Sequence, residues 1–364
     1  MPLFMDYHHL PGVTLEEVHK AHLADKRTEA KYKVNCLQFW VNKDAGTMFC
    51  LLEAPDKKAC FDIHQEAHGG VACNIIDVDP VMLELFIGVD KHVEHGIVYT
   101  SEGNMDSGYR YILILDLTSN FNSINYGNHK ELPCANYSKS VAKDIIKRMG
   151  GNVVEEPGKD NLTAIFEKSD QVLECAVTLH KEFTTRVDSG EWNMEFRLAI
   201  NYGQPVTMEE GFLSEAIVYT KYLSLIANNK EIVVPGNFKK LASFNQLSVK
   251  NRTVKIVTER YQYFVRSFFR HVENNFSDGS FSVSALSSEI GVSRPQLYRM
   301  MMKITGRSPA HFIRYLKMHK ALSLIREDNL NISQVALEVG YNNPSYFSKC
   351  FQERYGVMPS KLEI

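Results

Sequence analysis

Two stretches near the end of the sequence repeat each other. The first reads Leu286-Ser-Ser-Glu-Ile-Gly-Val-Ser-Arg-Pro-Gln-Leu-Tyr298, and the second reads Val335-Ala-Leu-Glu-Val-Gly-Tyr-Asn-Asn-Pro-Ser-Tyr-Phe347. Residue 286 of the first stretch corresponds to residue 335 of the second, an offset of 49. Each predicts a helix, a turn built on glycine and a second helix, because glycine adopts the backbone conformation of a tight turn without strain. The sequence therefore predicts two helix-turn-helix units in an all-helical C-terminal region.

Residues around the two units support this interpretation. Ser293 and Asn342 are expected N-caps of the second helix in each unit. Both units close on glycine and proline, in Gly306-Arg-Ser-Pro309 and Gly356-Val-Met-Pro359, and Ala310–Arg326 is long enough for a spacer helix between them. Two such units in one chain can place their second helices in successive major grooves of DNA.

The region also resembles a known family, over residues 262–362. The matching segments are Leu297-Tyr-Arg299, Gly306-Arg-Ser-Pro309, Ile332-Ser-Gln-Val-Ala336, Gly340-Tyr341 and Ser345-Tyr-Phe-Ser-Lys-Cys-Phe351. These segments resemble the DNA-binding domain of the AraC/XylS transcription regulators. The resemblance implies that residues 262–364 form a domain that binds double-stranded DNA.

The same resemblance implies which side chains contact DNA. They are Ser293, Arg294, Gln296 and Arg299 in the first unit, and Asn342, Asn343, Ser345, Ser348 and Lys349 in the second. Arginine pairs with guanine, and asparagine or glutamine with adenine, by two parallel hydrogen bonds. Which of these side chains contact bases and which contact phosphates stays open. The aromatic residues Tyr298, Tyr346 and Phe347 are interpreted as core.

Charge and composition agree with a regulator of several domains. The 364 residues predict two or three domains. Residues 262–364 contain 13 Lys+Arg against 8 Asp+Glu, whereas the rest of the chain contains 28 against 35. A basic end on an acidic body suits a DNA-binding module joined to other domains.

The cellular environment is predicted from the cysteines and from apolar segments. There are seven cysteines, an odd number, without a Cys-x-x-Cys pair. No basic segment followed by an apolar run opens the sequence, and no stretch approaches the ~20 apolar residues of a membrane span. We therefore expect a cytoplasmic protein in a reducing environment, without a membrane partner.

Residues 1–90 predict a separate domain. The pattern gives strands at Pro2–Tyr7, Val34–Val41, Thr47–Glu53 and Asn74–Val78, with helices from the capping box Thr14-Leu-Glu-Glu17 to Ala30 and from Pro55 to Gly69. The order β-α-β-β-α-β is that of a ferredoxin-like domain.

Histidines are concentrated in this domain. They are His8, His9, His19, His22, His64 and His68. His64 and His68 are four residues apart on one predicted helix, so both rings can face one ion. Imidazole nitrogens bind zinc, copper, nickel and iron(II). The alternative is that these histidines are surface or packing residues.

A second resemblance concerns the same domain. The matching residues are Pro2-Leu-Phe-Met-Asp6, His8, Leu10-Pro-Gly12, His22, Phe39-Trp-Val41, Phe49-Cys-Leu-Leu-Glu-Ala-Pro55 and His64-Gln-Glu-Ala-His68-Gly69. They resemble a family of small bacterial ferredoxin-like domains that includes a nickel-binding member. The resemblance implies a site for nickel or another transition metal among His8, His22, His64 and His68, with Cys50 and Glu53 as nearby candidates.

Residues 91–108 are predicted to be a linker, and residues 109–258 a second α+β domain. The matching segments of the second domain are Ile112-Leu-Ile-Leu-Asp116, Gly150-Gly-Asn-Val-Val154 with Asp160-Asn-Leu-Thr-Ala-Ile-Phe166, and Ile200-Asn-Tyr-Gly203. They resemble the catalytic domain of class III nucleotide cyclases. The resemblance implies that Asp116 and Asp160 match the metal-binding carboxylates.

Two further positions argue against catalysis. Where that family has an asparagine and an arginine, this sequence has Val218 and Tyr222. An apolar side chain cannot stabilise developing charge as a hydrogen-bond donor does. We therefore expect no enzyme activity and a degenerate cyclase-like domain used for dimerisation or ligand sensing.

Together these patterns predict an α+β multidomain transcription regulator. A metal ion or a small-molecule effector bound by the first two domains would control DNA binding, and a homodimer is expected. Two alternatives are a nucleotide cyclase fused to a DNA-binding domain, and a metal-storage protein with a vestigial DNA-binding domain.

Overall fold

The computed structural model describes most of the chain in two compact units. The described residues are 1–70, 72–88, 91–100, 102–119, 131–154, 161–207, 211–240, 253–327 and 330–362. The first unit comprises Met1–Ile112, Ile165–Lys168 and Asn201–Val218, and the second comprises Leu113–Ala164, Ser169–Ile200 and Tyr219–Ile364.

The first unit contains a six-stranded sheet with helices. Its elements are β1 (Leu3–His9), α1 (Leu15–Tyr32), β2 (Asn35–Asn42), β3 (Thr47–Glu53), α2 (Lys57–His68), β4 (Asn74–Asp77), α3 (Pro80–Ile87), β5 (His92–Glu94) and β6 (Ile97–Tyr99). The strand order is β4-β1-β3-β2-β6-β5, and β1 pairs antiparallel with both β3 and β4. The first six elements thus have the ferredoxin-like arrangement that the sequence predicts.

Local chemistry sets the ends of these elements. The predicted capping box is present: the Thr14 side chain accepts from the backbone N–H of Glu17, and the Glu17 carboxylate accepts from the backbone N–H of Thr14. Asp56 caps α2 by accepting from the backbone N–H of Ala59. The hairpin between β2 and β3 needs Gly46, because a Cβ there would lie 2.8 Å from the Cα of Pro11.

The segment predicted to be a linker, residues 91–108, differs from that prediction. It contains β5 and β6, a hairpin that turns at His95 and Gly96, both with positive φ. β6 pairs parallel with β2 at Phe39 and Ile97 and so extends the first sheet. Three-residue strands are too short to show an alternating pattern in sequence, and the burial of Ile97 and Val98 depends on the neighbouring sheet.

A second six-stranded sheet has the order β12-β11-β10-β7-β9-β8. Its elements are β7 (Arg110–Ser119), α4 (Glu131–Arg148), β8 (Asn152–Val154), β9 (Asn161–Phe166), α5 (Ser169–Asp188), β10 (Met194–Gly203), α6 (Ser214–Ile226), β11 (Ile232–Pro235) and β12 (Val254–Val257). This is the second α+β region that the sequence predicts, with β12 as an additional strand parallel to β11.

The C-terminal region is all-helical, as predicted. Its helices are α7 (Glu259–Asn274), α8 (Val283–Ile290), α9 (Arg294–Thr305), α10 (Pro309–Arg326), α11 (Ile332–Glu338) and α12 (Pro344–Tyr355). Two apolar cores hold them. One contains Leu286, Leu297 and Phe312, and the other contains Val335 and Phe347.

Within the second unit, α6 packs against α7. The Tyr222 ring stacks on Phe269 with centroids 4.3 Å apart, and its hydroxyl donates to Glu273 Oε2 over 2.7 Å. The Arg266 guanidinium lies 3.9 Å from the centroid of the Tyr219 ring. These contacts join the second sheet to the helical region through one apolar core.

Among the helices of the described ranges, none has both the length and the apolar character that a membrane crossing requires.

Candidate metal centre and nucleic-acid interface

Five polar side chains from β1, α1 and α2 converge in the first unit. Asp6 and His8 lie on β1, two residues apart and therefore on the same face of the sheet. Asp25 lies on α1, and His64 and His68 lie on α2. We call these five residues the histidine cluster. Four of them are buried, and the His68 side chain keeps 22% of its surface exposed.

The inner part of the histidine cluster is a triad. His64 Nε2 lies 2.7 Å from Asp6 Oδ2, and His8 Nε2 lies 3.3 Å from the same oxygen. The His8 and His64 rings meet edge to face, with centroids 5.1 Å apart. One donor atom from each of Asp6, His8 and His64 lies within 4.8 Å of the other two.

The outer part fixes the orientation of the shared ring. His64 Nδ1 lies 3.1 Å from Asp25 Oδ1, and His68 Nε2 lies 3.3 Å from that oxygen. A carboxylate at Nδ1 holds the hydrogen on that nitrogen and leaves Nε2 of a neutral imidazole as an electron-pair donor. Asp25 therefore turns the donor nitrogen of His64 towards Asp6 and His8.

Charge governs the protonation of the histidine cluster. Burial alone would lower the pKa of His64, but the carboxylates of Asp6 and Asp25 outweigh burial and raise that pKa to about 10. Burial would raise the pKa of Asp6, yet His8 and His64 hold it well below its usual range. A positive charge in the centre of the cluster is therefore strongly stabilised, whether it is a proton or a metal cation.

The residues fit a transition metal ion. Among the described residues, buried His8 Nε2 forms no hydrogen bond of good geometry, and its polar neighbour is Asp6 Oδ2 at 3.3 Å. A buried polar atom of this kind needs a partner, and a metal ion is one that an imidazole nitrogen accepts. Two imidazole nitrogens and one carboxylate oxygen form a donor set suited to nickel, zinc or iron(II).

The structure brings together three of the four histidines that the sequence singles out. His8, His64 and His68 belong to the cluster, whereas the ring of His22 packs on Phe39 with centroids 4.9 Å apart. Burial, its largest effect, lowers the pKa of His22. In this arrangement His22 packs on an aromatic ring outside the histidine cluster, and its role as a ligand stays a prediction.

The two nearby candidate ligands, Cys50 and Glu53, also differ in their distance from the histidine cluster. Glu53 accepts from the Met1 amine and from Asn35 near the surface, outside the cluster. Cys50 donates its backbone N–H to Asp6 Oδ1 over 2.9 Å, and burial raises the pKa of its thiol. Sequence reasoning missed the two carboxylates, Asp6 and Asp25. Asp6 carried a signal, since it stands two residues before His8 in a strand.

The sequence predicts that the two helix-turn-helix units match at a single offset of 49 residues. In the structure the units match at two different offsets, which corrects that alignment. Their first helices match at 49, since buried Leu286 corresponds to buried Val335. Their second helices match at 50, since buried Leu297 corresponds to Phe347 and the helix-ending Gly306 to Gly356. The second turn therefore contains one additional residue.

The additional residue moves a cap. Ser293 caps α9 as predicted, by accepting from the backbone N–H of Gln296. In the second unit the cap is Asn343, which accepts from the backbone N–H groups of Ser345 and Tyr346. The predicted cap Asn342 instead lies against Gly279. Proline explains the shift, because Pro344 is favoured as the first residue of a helix and places the cap directly before it.

Most of the predicted DNA contacts lie at the surface of α9 and α12. The exposed ones are Ser293, Arg294, Arg299, Asn342, Asn343, Ser345 and Lys349, and the half-buried ones are Gln296 and Ser348. The interpretation of the aromatic residues as core holds for Phe347 alone. Tyr298 and Tyr346 are 50% and 55% exposed, because the buried faces of α9 and α12 are formed by residues one position before or after them.

In the second unit, Asp116 is already engaged by basic side chains. Its carboxylate lies 3.3 Å from Arg197 Nη1 and 3.8 Å from His319 Nε2, which belongs to α10. Asp160 lies outside the described residues. Tyr222 packs against α7. The expectation that the chain is not an enzyme remains a prediction.

Two family matches cover the two ends of the chain. Residues 4–78 match the family described as "Nickel responsive protein SCO4226-like", and residues 286–363 match the family described as "Helix-turn-helix domain". Both matches agree with the resemblances noted in the sequence. The C-terminal region is thus confirmed as a helix-turn-helix domain, and the N-terminal domain as similar to a nickel-responsive family.

Curated relatives match part of the chain. Histidine kinase P4 of Formosa agariphila is 32% identical over 124 residues, which is 34% of this chain and 9% of the kinase. The transcriptional activator RhrA of Rhizobium meliloti is 36% identical over 96 residues, which is 25% of this chain and 29% of the activator. The chain thus spans less than two fifths of the curated relatives it matches.

Solved structures match the same regions. SCO4226 from Streptomyces coelicolor is 36% identical over 21% of this chain and 94% of that chain, with a TM-score of 0.20. An adenylate/guanylate cyclase/hydrolase from Silicibacter pomeroyi is 18% identical over 38% of this chain and 82% of that chain, with a TM-score of 0.32. At that score the likeness adds no argument, and the cyclase-like character of residues 109–258 stays a prediction.

Proposed function

We propose that this protein is a sequence-specific DNA-binding transcription regulator controlled by a metal ion bound at Asp6, His8 and His64. The proposal rests on one observation: the same chain contains two capped helix-turn-helix units and a buried triad of side chains that could bind a metal ion. The triad is not needed for stability alone, because an apolar residue would fill the position of a buried carboxylate at less cost.

The DNA-binding part of the proposal rests on α9 and α12. Arg294 and Arg299 on α9 and Lys349 on α12 are exposed cations suited to guanine or phosphate. Asn342 and Gln296 supply amides suited to adenine. The exposed Tyr298 adds an aromatic surface next to these groups. A homodimer, with two copies on two half-sites, is part of the proposal.

The control part rests on the histidine cluster. Asp6, His8 and His64 would hold nickel or another transition metal, with Asp25 orienting His64. When bound, the metal supplies a divalent positive charge and ties strand β1 to helix α2. A ligand changes DNA binding only through a difference in its affinity for two states of the protein. An organic effector remains the alternative if the cluster binds no metal.

The first experiment measures the linkage directly. A DNA duplex is selected from a random library by the full chain, and its affinity is measured with chelator and with added Ni²⁺, Zn²⁺ or Co²⁺ at fixed ionic strength. We expect one of these ions to change the affinity by about 5–150-fold. The change should disappear in His8→Ala and persist in the matched control His9→Ala, whose side chain is exposed beside it. Equal affinities with chelator and with every ion would reject metal control but leave DNA binding standing.

A second experiment tests the DNA contacts. Arg299→Ala should weaken binding to the selected duplex by about 1–3 kcal/mol if this side chain contacts a base. Binding to an unrelated duplex should change much less, because phosphate contacts are independent of sequence. The matched control is Arg186→Gln on α5, which lies outside α9 and α12. An unchanged affinity of the Arg299 variant for the selected duplex would reject this assignment.

A further inference from the structure

Three arginines of the second unit surround one tyrosine. The ring of Tyr315 on α10 has the guanidinium carbons of Arg307, Arg354 and Arg197 at 4.3, 5.6 and 5.7 Å from its centroid. Arg197 lies on β10, Arg307 precedes α10, and Arg354 lies in the last turn of α12. We call these three arginines with Tyr315 the arginine cluster.

The carboxylates near the arginine cluster do not balance its charge. Glu195 accepts from Arg197 Nη2 over 2.6 Å and from Arg354 Nη2 over 3.0 Å. Asp116 accepts from Arg197 Nη1 over 3.3 Å. Of the residues that the structure describes, two carboxylates thus face three guanidinium groups, which stay charged at every physiological pH. His319 lies 3.8 Å from Asp116 and, when protonated, adds positive charge.

Three donors of the arginine cluster have no acceptor among the residues that the structure describes. In the described part of the chain, Nε of Arg197, Nε of Arg354 and the hydroxyl of Tyr315 are buried without a hydrogen-bond partner. Arg197 is 1% exposed and Tyr315 is 7% exposed. Buried donors nearly always have a partner, so an acceptor is expected beside each of these three atoms.

Arg307 lies in the same group of positive charges. Burial is the largest influence on its pKa and lowers it, the like charges of Arg197 and Arg354 lower it further, and Tyr315 and Glu195 act in the opposite direction. Glu195 already accepts hydrogen bonds from Arg197 and Arg354, so this carboxylate is shared. A bound anion that accepts several hydrogen bonds would supply further negative charge at this place.

We propose that the arginine cluster is a binding site for the phosphate group of a small molecule. A phosphate offers several acceptor oxygens and up to two negative charges, and guanidinium groups bind it through paired hydrogen bonds. A small anion fits better than the backbone of DNA, because Arg197 and Tyr315 are buried. Arg354, 24% exposed, and His319, 37% exposed, form the open side of the site.

The position of the site gives the anion a role. It would contact the segment after α9, the spacer α10, the end of α12 and strand β10. One ligand would therefore hold both helix-turn-helix units against the second sheet. This site is separate from the histidine cluster, and its existence does not depend on metal control.

Calorimetry and thermal unfolding of the full chain test the proposal. Inorganic phosphate, adenosine monophosphate and sulfate are titrated separately at constant ionic strength, into the parent chain and into Arg307→Gln. We expect phosphate or the nucleotide to bind the parent and to raise its Tm by about 2–4 °C. Tighter binding of the nucleotide would identify a phosphorylated organic ligand, and equal binding would identify free phosphate.

The variant supplies a signature that a merely structural arginine would not give. Without ligand, Arg307→Gln should melt above the parent, because a repelling charge is gone. Its phosphate affinity should fall at least about tenfold. Arg186→Gln replaces a half-buried arginine of α5 outside the arginine cluster and should keep parent affinity. If the parent binds neither phosphate nor the nucleotide, or if Arg307→Gln binds phosphate as tightly as the parent, the proposal is overturned.

Discussion

The histidine cluster and the arginine cluster are both groups of buried polar side chains. The histidine cluster lacks positive charge, whereas the arginine cluster lacks negative charge. In the first unit, two carboxylates face three imidazoles, which can be neutral and so leave room for a cation. In the second unit, two carboxylates face three guanidinium groups, which cannot lose their protons. The difference shows that the residue type around a buried carboxylate decides which ion a site can accept.

The two clusters also differ in what holds them together. Every residue of the histidine cluster belongs to one ferredoxin-like domain, so the cluster can form when that domain folds. The arginine cluster joins β10 to α10 and α12, and therefore depends on docking between the second sheet and the helical region. We expect substitutions in the first cluster to affect ion binding and substitutions in the second to affect stability as well.

Asp6→Asn should have the largest effect. The substitution removes a negative ligand but keeps the size of the side chain, so we expect the affinity for Ni²⁺ to fall by more than about a hundredfold. Calorimetry on the purified full chain measures it. Glu53→Gln is the matched control, because this carboxylate lies on β3 outside the cluster. Nickel affinity within a few-fold of the parent would show that the inner triad is not the metal site.

Asp25→Asn should have the next largest effect. Asp25 orients His64 without being needed as a ligand, and losing such a partner lowers metal affinity by about 10–100-fold. Cobalt(II) distinguishes the two roles, since its visible absorption follows the ligand set. Asp25→Asn should keep the spectrum of the parent at saturation, whereas Asp6→Asn should change it. A changed spectrum in Asp25→Asn would make Asp25 a ligand.

Glu195→Gln should destabilise the second unit. It takes a carboxylate from Arg197 and Arg354, both largely buried, and we expect a loss of about 1–3 kcal/mol in the free energy of unfolding. Urea unfolding, followed by circular dichroism, measures the change. Glu191→Gln removes a surface partner of Arg186 and should cost under about 1 kcal/mol. Equal losses in the two variants would mean that burial adds nothing to the interaction of Glu195.

His22→Ala should have the smallest effect on metal binding. Its ring packs on Phe39 outside the histidine cluster, so nickel affinity should stay within about threefold of the parent. The same calorimetric titration tests this, with His8→Ala as the positive comparison. A loss as large as that of His8→Ala would restore His22 as a ligand and require the helix α1 to move on metal binding.

Several features could be predicted from the sequence because they depend on neighbours along the chain. The capping box at Thr14, the order of the first six elements and the cap at Ser293 all belong here. The cap at Asn343 and the exposed Tyr298 and Tyr346 could not be predicted from the repeat. The additional residue in the second turn puts the repeat one residue out of register along the following helix, which corresponds to about 100° around the helix axis and changes which side chains are expected to be buried.

The sequence by itself determined the two helix-turn-helix units and the histidines of the first domain, since short segments carry their own turn, cap and spacing. Only the tertiary structure decided which charges meet. His64 is 58 residues from Asp6 and 39 from Asp25, and Arg354 is 159 from Glu195. Such pairs form only when helices pack on a sheet, because the closeness of distant residues is set by the fold of the whole unit.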